Sequence, residues 1–455
     1  MGRSSSVPIP WSDYRAALVW ANFGVGTLKT PWRKPPSFRE VGLGRVNRDE
    51  FAGQSGLARK PWRMQNRITK MGPRVWQVIG LLGITLLTRG WLQASPVTFV
   101  FTSDVHYGIA RSSFRGAAQV EAAIVNAALV RKINRLPEVM MPKDEGLRAG
   151  QAVGLVDFVV VTGDITNRQE LYPLPIQSSA VSWQQFSSGF LDAVALRAPN
   201  GSRTPILVVP GNHDISNAIG SPNRLRPETD ATAMAEIYNR NMQPAVPRTK
   251  DTYRFASDKV YYSKDFGGVH LVFLTIWPDS QARAWMEQDF RAVAATTPIF
   301  IFCHDQPDIE AKHLTNPNGK RDINSRDKFE NLVVDVCAGG STVEANTIVE
   351  QRALAAFLRA HRNVAAYFHG NANWQEFYSW KGPDGDLALP VFRVDSPIKG
   401  KDSGKDETKL SFQVVTYDLA VKRLTARECR WNALGREDRD ATPVDWAAVR
   451  TINLR

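Results

Sequence analysis

The pattern of hydrophobic and polar positions changes near residue 97. From there onward, short apolar runs alternate with longer stretches of helical spacing. The apolar runs, which predict buried β-strands, lie at residues 97–102, 158–162, 206–209, 270–276, 299–303 and 364–368. Helical spacing occurs at residues 113–136, 181–196, 282–294 and 349–362, and further strands are predicted at 391–394, 410–418 and 424–430. This alternation predicts an α/β fold with mixed sheets, in which ligands bind at the ends of strands.

Residues 1–63 lack this pattern. They are rich in Arg, Pro, Gly and Trp, and they show neither helical nor alternating periodicity. We interpret them as an unstructured or misassigned N-terminal extension. Residues 95–455 are predicted to form a single domain that ends in antiparallel strands.

Residues 64–94 have the layout of a secretory signal peptide. Three basic residues precede an apolar run of thirteen residues, 75–87, and the small residue Ala94 ends the segment. The run is too short for a typical transmembrane helix. We therefore expect translation to start at Met64 or Met71 and the protein to be secreted or periplasmic, with membrane contact only through this segment. The alternative is a basic tail followed by a signal anchor.

The charge distribution argues against a nucleic-acid-binding protein, and the cysteine spacing argues against a CxxC or zinc motif. The net charge is +12, but residues 1–94 hold 15 Lys and Arg against 4 Asp and Glu, which leaves 42 against 41 in the rest of the chain. The body is nearly neutral, so we expect no specific nucleic-acid binding. Cys303, Cys337 and Cys429 have neither CxxC nor zinc-type spacing, and we expect small buried side chains.

Four segments place acid, amide or imidazole side chains directly after a predicted strand. They are Asp104-Val105-His106, Gly163-Asp164, Gly211-Asn212-His213-Asp214 and His304. Side chains that meet at strand ends can assemble a divalent-metal cluster. Carboxylates supply charge and bridge two ions, while imidazole and amide oxygen fill the other positions. Each segment alone is common by chance, but the ordered series is specific.

The series resembles that of the calcineurin-like metallophosphoesterases over roughly residues 97–377. This resemblance implies a four-layer sandwich of two mixed β-sheets flanked by helices. It also implies that two divalent metal ions activate a hydroxide, which hydrolyses a phosphate ester.

The resemblance further implies the roles of individual residues. The implied metal ligands are Asp104 and His106 for the first ion, Asp164 as a bridge to both ions, and Asn212 and His304 for the second. The implied catalytic residues are Asp164 and His213, the second of which would face the leaving group. Asn167 lies where the family often has Asp or Asn, and we assign it to the substrate pocket.

The last family motif, G-H-x-H, reads Gly370-Asn371-Ala372-Asn373 in this chain. Amide oxygens can bind hard ions, but they bind zinc or iron more weakly than imidazole does. We assign Asn371 and Asn373 as ligands and place His369 in the pocket, with ligation by His369 as the alternative. The larger share of oxygen ligands favours Mn²⁺ for both ions, with Mg²⁺, Ca²⁺, iron and Zn²⁺ as alternatives.

The two asparagines also leave a second function open. The chain would then be a catalytically weakened member of the same fold that binds metal or phosphate. Because Asp164, Asn212 and His213 all remain, we favour the enzyme. Monoester and diester substrates are both consistent with the motifs, since specificity lies in loops without a motif.

Overall fold

Two six-stranded β-sheets pack face to face at the centre of the computed structural model. The structure describes residues 95–167, 177–214, 231–254, 257–314, 347–434 and 443–454. All of these lie within one compact unit. The predicted N-terminal extension and signal peptide, residues 1–94, fall outside the described residues, as does Cys337. In the part that is described, no helix is long and apolar enough to cross a membrane.

Strands and helices alternate along the described chain. The strands are β1 (Val97–Thr102), β2 (Ala110–Phe114), β3 (Ala117–Glu121), β4 (Phe158–Thr162), β5 (Ile206–Val209), β6 (Tyr262–Phe266), β7 (Val269–Phe273), β8 (Ile299–Phe302), β9 (Val364–His369), β10 (Glu376–Trp380), β11 (Leu389–Arg393), β12 (Ser411–Asp418), β13 (Arg423–Arg430) and β14 (Asp445–Asn453). The helices are α1 (Ala122–Arg135), α2 (Ser179–Phe186), α3 (Thr232–Met242), α4 (Ser280–Asp289), α5 (Ala311–Leu314) and α6 (Ile348–Ala360). A π-helical turn, Ser187–Leu191, directly follows α2.

Both sheets are mixed. Their strand orders are β14–β13–β12–β1–β4–β5 and β10–β11–β9–β8–β7–β6. In the first sheet β1, β4 and β5 run parallel, and in the second β7, β8, β9 and β11 do. The remaining neighbours pair antiparallel. Since the carboxyl ends of parallel neighbours meet at one edge, the segments that follow these strands lie close together.

Aromatic side chains fill the space between the two sheets. Phe99 stacks on Phe158 with ring centroids 4.6 Å apart. It also meets Phe302 and Phe368 of the second sheet edge-on, at 5.9 and 5.6 Å. All four are fully buried, and burial of each such ring contributes about 1.5–3 kcal/mol. This layer holds the strand ends of the two sheets in a fixed relation.

Helices cover the outer face of each sheet. Leu129 of α1 and Phe186 of α2 share one core with the first sheet. Met286 of α4 and Leu354 of α6 share a second core with Ile301 of β8. The order of layers is therefore helix, sheet, sheet, helix, which confirms the predicted four-layer α/β sandwich.

The long helix predicted at residues 113–136 is wrong in its first third. The structure has the hairpin β2–β3 there, and α1 begins only at Ala122. Arg115 and Gly116 connect the two strands with φ angles of +52° and +84°. A left-handed pair of this kind makes a tight hairpin turn and cannot continue a right-handed helix.

The C-terminal strands are only partly antiparallel. β12, β13 and β14 pair antiparallel as predicted. β11, however, lies parallel to β9, with Arg393 opposite His369. The carboxyl end of β11 therefore reaches the same edge as the motif segments, which the antiparallel prediction did not anticipate. Cys303 and Cys429 are buried, as expected.

Candidate metal centre

The motif residues all follow the carboxyl ends of parallel strands. Asp104 and His106 follow β1, and Asp164 follows β4. The backbone at these three residues is left-handed, with φ of +54°, +41° and +48°. Such conformations are costly for residues other than glycine and concentrate at functional sites. Here they turn the three side chains toward one point.

Asp104, His106 and Asp164 form a buried cluster. One ligand atom from each lies within 4.8 Å of the others. The Nε2 atom of His106 is 3.7 Å from Asp104 Oδ1 and 3.6 Å from Asp164 Oδ2. Two carboxylates and one imidazole at this spacing could hold a divalent cation.

The other oxygen of Asp164 faces a second group of ligand atoms. His304, which follows β8, places Nε2 3.3 Å from Asp164 Oδ1. The same Nε2 lies 3.0 Å from Oδ1 of Asn212, which follows β5. Asp164 thus directs one oxygen toward His106 and the other toward His304 and Asn212, which is the arrangement required of a bridging carboxylate.

Hydrogen bonds orient both histidines of the cluster. Nδ1 of His106 is 3.0 Å from Asn167 Oδ1, and Nδ1 of His304 is 2.7 Å from the carbonyl oxygen of Thr162. Both oxygens are acceptors, so each Nδ1 donates a hydrogen bond and each Nε2 is left to face the cluster. Metal-binding histidines are commonly fixed in this way.

Asn167 therefore lies behind His106, where it is only 1% exposed. We predict that Asn167→Leu weakens divalent-metal affinity by about 10- to 100-fold, as loss of an outer hydrogen-bond partner typically does. Titration calorimetry with Mn²⁺ measures the effect. Asn167→Asp keeps an acceptor for Nδ1 and is expected to retain most of the affinity. Wild-type affinity in Asn167→Leu would show that His106 is oriented by other contacts.

Burial and neighbouring charges shift the pKa values of the cluster residues in opposite directions. Burial raises the pKa of Asp104 to about 6 and lowers that of His106 to about 3. Burial would raise the pKa of Asp164, but the imidazoles of His304 and His213 outweigh it and hold the pKa well below its usual value. Burial would lower the pKa of His304, but the Asp164 carboxylate outweighs it and raises the pKa to about 10. Strongly divergent pKa values in one cluster are typical of functional sites.

These residues fit a metal ion by their lone pairs. His304 directs Nε2 at two further ligand oxygens, those of Asn212 and Asp164, and its raised pKa places a proton between these atoms. Such a group repels itself unless a proton or a cation lies between its atoms. Elsewhere in the cluster, the buried atoms Asp104 Oδ1 and His106 Nε2 have no hydrogen-bond partner among the described residues. Buried polar atoms of this kind normally have one, so a cation would satisfy them.

The asparagines of the altered last motif lie on the loop after β9. Asn371 and Asn373 have φ of +57° and +62°, a region that Asn tolerates better than most residues. The backbone N–H of Asn371 donates to Asp104 Oδ2 at 3.0 Å, and its side-chain Nδ2 donates to Asp305 and Glu310 at 2.9 and 3.0 Å. With Nδ2 engaged, the amide oxygen of Asn371 is its remaining ligand atom.

Asn373 and His369 are placed differently from each other. Nδ2 of Asn373 donates to the Asn371 carbonyl oxygen at 2.6 Å, and its buried Oδ1 has no hydrogen-bond partner in the described structure. His369 is fully buried, with Nε2 3.0 Å from the Tyr378 hydroxyl and Nδ1 3.0 Å from the Gly370 carbonyl oxygen. Both of its nitrogens are engaged, and it lies beneath the loop rather than in an open pocket.

Two glycines allow the motif loops to approach each other. A Cβ at Gly211 would collide with the backbone nitrogen and Oδ1 of Asp164. One at Gly370 would collide with Ser103 and with Oδ2 of Asp104. Glycine at these positions is thus required by the contact between loops and not by a turn.

Two further residues of the site were assigned no role from the sequence. Asp214 ties two motif loops together, since its carboxylate accepts hydrogen bonds from the backbone of Thr166 at 2.8 Å and Gly211 at 2.8 Å. Burial raises its pKa to about 7. Lys399, from the loop after β11, places Nζ 2.9 Å from His213 Nε2. The last D of G-N-H-D could have indicated Asp214, whereas no motif indicates Lys399.

Comparisons with known proteins identify the family of the chain. A model of the family described as calcineurin-like phosphoesterase matches residues 97–343. No curated protein matches the chain. Among solved structures, a predicted phosphoesterase from Streptococcus pneumoniae is similar at 11% identity, with 79% of this chain and 98% of that chain covered and a TM-score of 0.28. The 5′-nucleotidase precursor from Thermus thermophilus is similar at 11% identity, with 79% of this chain and 54% of that chain covered and a TM-score of 0.32. Because the family model covers more than half of its length, the chain belongs to the calcineurin-like phosphoesterase family.

Proposed function

We propose that this protein hydrolyses a phosphate ester with the help of two divalent metal ions. The observation that carries the proposal is the position of Asp164. Its two carboxylate oxygens face two separate groups of ligand atoms, at 3.6 Å from His106 Nε2 and 3.3 Å from His304 Nε2. The proposed ligands are Asp104, His106, Asp164, Asn212, His304, Asn371 and Asn373.

Divalent ions held by these residues would supply a hydroxide nucleophile at neutral pH and would stabilise the charge that develops on phosphoryl oxygens. The chain's own residues supply the rest. Asp164 and Asp104 provide the negative charge that attracts cations. Oxygen-rich ligation favours Mn²⁺ over Zn²⁺ or iron.

His213 is the imidazole of the site that a substrate can reach. Its side chain is 17% exposed, whereas those of His106 and His304 are fully buried. Its backbone N–H donates to Asp164 Oδ1 at 2.8 Å, which fixes the position of the residue. We assign it to the leaving group, where an imidazole can donate a proton or stabilise charge.

One assay tests this function. The full chain is stripped of metal and reloaded with Mn²⁺, and bound metal per chain is measured together with hydrolysis of a phosphomonoester and a phosphodiester. About two ions with metal-dependent turnover is the expected result, and the preferred ester would narrow the substrate class. One ion or none, with no turnover under any divalent metal, would favour the alternative of a member that binds metal or phosphate without catalysis. The replacement of both family histidines by Asn371 and Asn373 is the observation behind that alternative.

We further propose that the protein is exported, on the strength of the signal-like segment at residues 64–94. N-terminal sequencing of the protein recovered outside the cytoplasm tests this. A mature chain that begins before Met64 would contradict it.

A further inference from the structure

A lysine lies beside the imidazole assigned to the leaving group. Nζ of Lys399 is 2.9 Å from Nε2 of His213, and the Lys399 side chain is half-buried. That Nε2 atom is also 3.7 Å from Asp164 Oδ2. The ammonium group therefore lies next to the proposed reaction centre, beside an imidazole that is 17% exposed.

The loop that carries Lys399 is fastened to the metal-binding segment. The hydroxyl of Ser396 donates to the backbone carbonyl oxygen of Asp104 at 2.8 Å. The same hydroxyl accepts from the backbone N–H groups of Ile398 and Lys399 at 3.1 and 2.9 Å. A single fully buried side chain thus links the first proposed metal ligand to the backbone of Lys399.

Buried Arg111 donates hydrogen bonds to the same loop. Arg111 is 1% exposed, and its guanidinium donates to the carbonyl oxygen of Pro397 at 2.9 Å and to that of Ser403. Gly400 packs so closely on Asp395 and Ser403 that a Cβ there would collide with both. Lys399 is consequently positioned by buried contacts on both sides, unlike a lysine on an ordinary surface loop.

We propose that Lys399 is a further catalytic residue, whose ammonium group binds the leaving-group oxygen of the ester beside His213. This inference rests on the proposed phosphoesterase function. An ammonium group carries three hydrogens, so it can bond His213 and a leaving oxygen at the same time. When the bond from phosphorus to the leaving group breaks, its electron pair stays on that oxygen, and a nearby positive charge stabilises it. The effect is largest for poor leaving groups, which carry the most charge.

The test compares two esters that differ in the leaving group. In Lys399→Met, kcat for an alkyl phosphate is expected to fall by about 100-fold, while kcat for p-nitrophenyl phosphate falls much less. Lys399→Arg is expected to restore part of the loss with the alkyl ester. Bound Mn²⁺ per chain should stay at the wild-type value in both variants, because Lys399 is not among the proposed ligands. Lys405→Met, an exposed lysine of the same loop, is the matched control and should match wild type with both esters.

Three results would overturn the inference while leaving the phosphoesterase function intact. They are wild-type kcat in Lys399→Met with both esters, an equal loss with both esters, and a higher KM with unchanged kcat. If the wild-type chain hydrolyses neither these two monoesters nor a phosphodiester, the proposed function itself fails. Inorganic phosphate binding to the Mn²⁺-loaded chain, measured by calorimetry, then decides about Lys399 separately. Weaker binding of about tenfold or more in Lys399→Met supports an anion contact, and unchanged binding refutes it.

Discussion

Asp164→Asn is expected to lose bound divalent metal and, with it, esterase activity. The substitution keeps the size of the side chain and an oxygen that can accept from the His213 backbone N–H, now 2.8 Å away. It removes the charge shared between the two ligand groups and replaces one oxygen by a nitrogen that cannot bind a cation. We expect metal affinity to fall by more than about 100-fold, beyond the effect of outer hydrogen-bond partners.

The measurement is the Mn²⁺ content of the purified chain after dialysis, followed by calorimetric titration of the metal-free form. Asp192→Asn is the control, because Asp192 is 73% exposed and pairs only loosely with Arg203, at 4.0 Å. It should bind metal as wild type does. If Asp164→Asn retained two ions per chain, Asp164 could not be the bridge, and the assignment of the two ligand groups would have to be abandoned.

Local patterns predicted most of the strands that build the site. β1, β4 and β5 occur at the predicted residues because each is a short apolar run buried on both faces. Where prediction failed, a local signal was outweighed. Helical spacing in residues 113–121 gives way to the hairpin because Arg115 and Gly116 adopt left-handed conformations. Whether a strand pairs parallel or antiparallel is a property of its neighbours, so the direction of β11 could not be read from residues 391–394.

In the candidate site too, some residues could be predicted from local patterns and others could not. Residues inside motifs, such as Asp104, Asp164 and His304, could be proposed because each directly follows an apolar strand. Lys399 could not, because its position depends on Ser396, on Arg111 nearly three hundred residues earlier, and on the parallel pairing of β11. Residues that act through tertiary contacts leave no local trace in a single sequence.

For Asn371, the sequence indicates the residue as a ligand, and the structure indicates which of its atoms would bind the ion. The motif position suggested a ligand, but an amide has two ends and the sequence does not distinguish them. In the structure Asp305 and Glu310 accept from Nδ2, which leaves the oxygen as the remaining ligand atom.

His213→Ala is expected to reduce turnover while leaving the metal in place, whereas Asp164→Asn is expected to lose the metal. His213 contributes a partly exposed imidazole, whose Nε2 lies 2.9 Å from Lys399 Nζ and 3.7 Å from Asp164 Oδ2. Its removal takes away a group that assists the leaving oxygen, so kcat should fall by about 10²- to 10⁴-fold. Because the proposed ligands are untouched, Mn²⁺ per chain should remain that of wild type.

The control for this variant is a histidine of equal exposure in a different place. His361 directly follows α6, and its side chain is 19% exposed, against 17% for His213. Its Nε2 lies 2.9 Å from Oε1 of Glu287 in α4. His361→Ala should keep the wild-type kcat. Loss of metal from His213→Ala would place His213 in the ligand set, and an unchanged kcat would remove it from catalysis. The two variants each lose an imidazole of similar exposure, but at different places. A fall in kcat with metal retained in His213→Ala, and no fall in His361→Ala, would therefore show that His213 acts in the chemical step and not in metal binding.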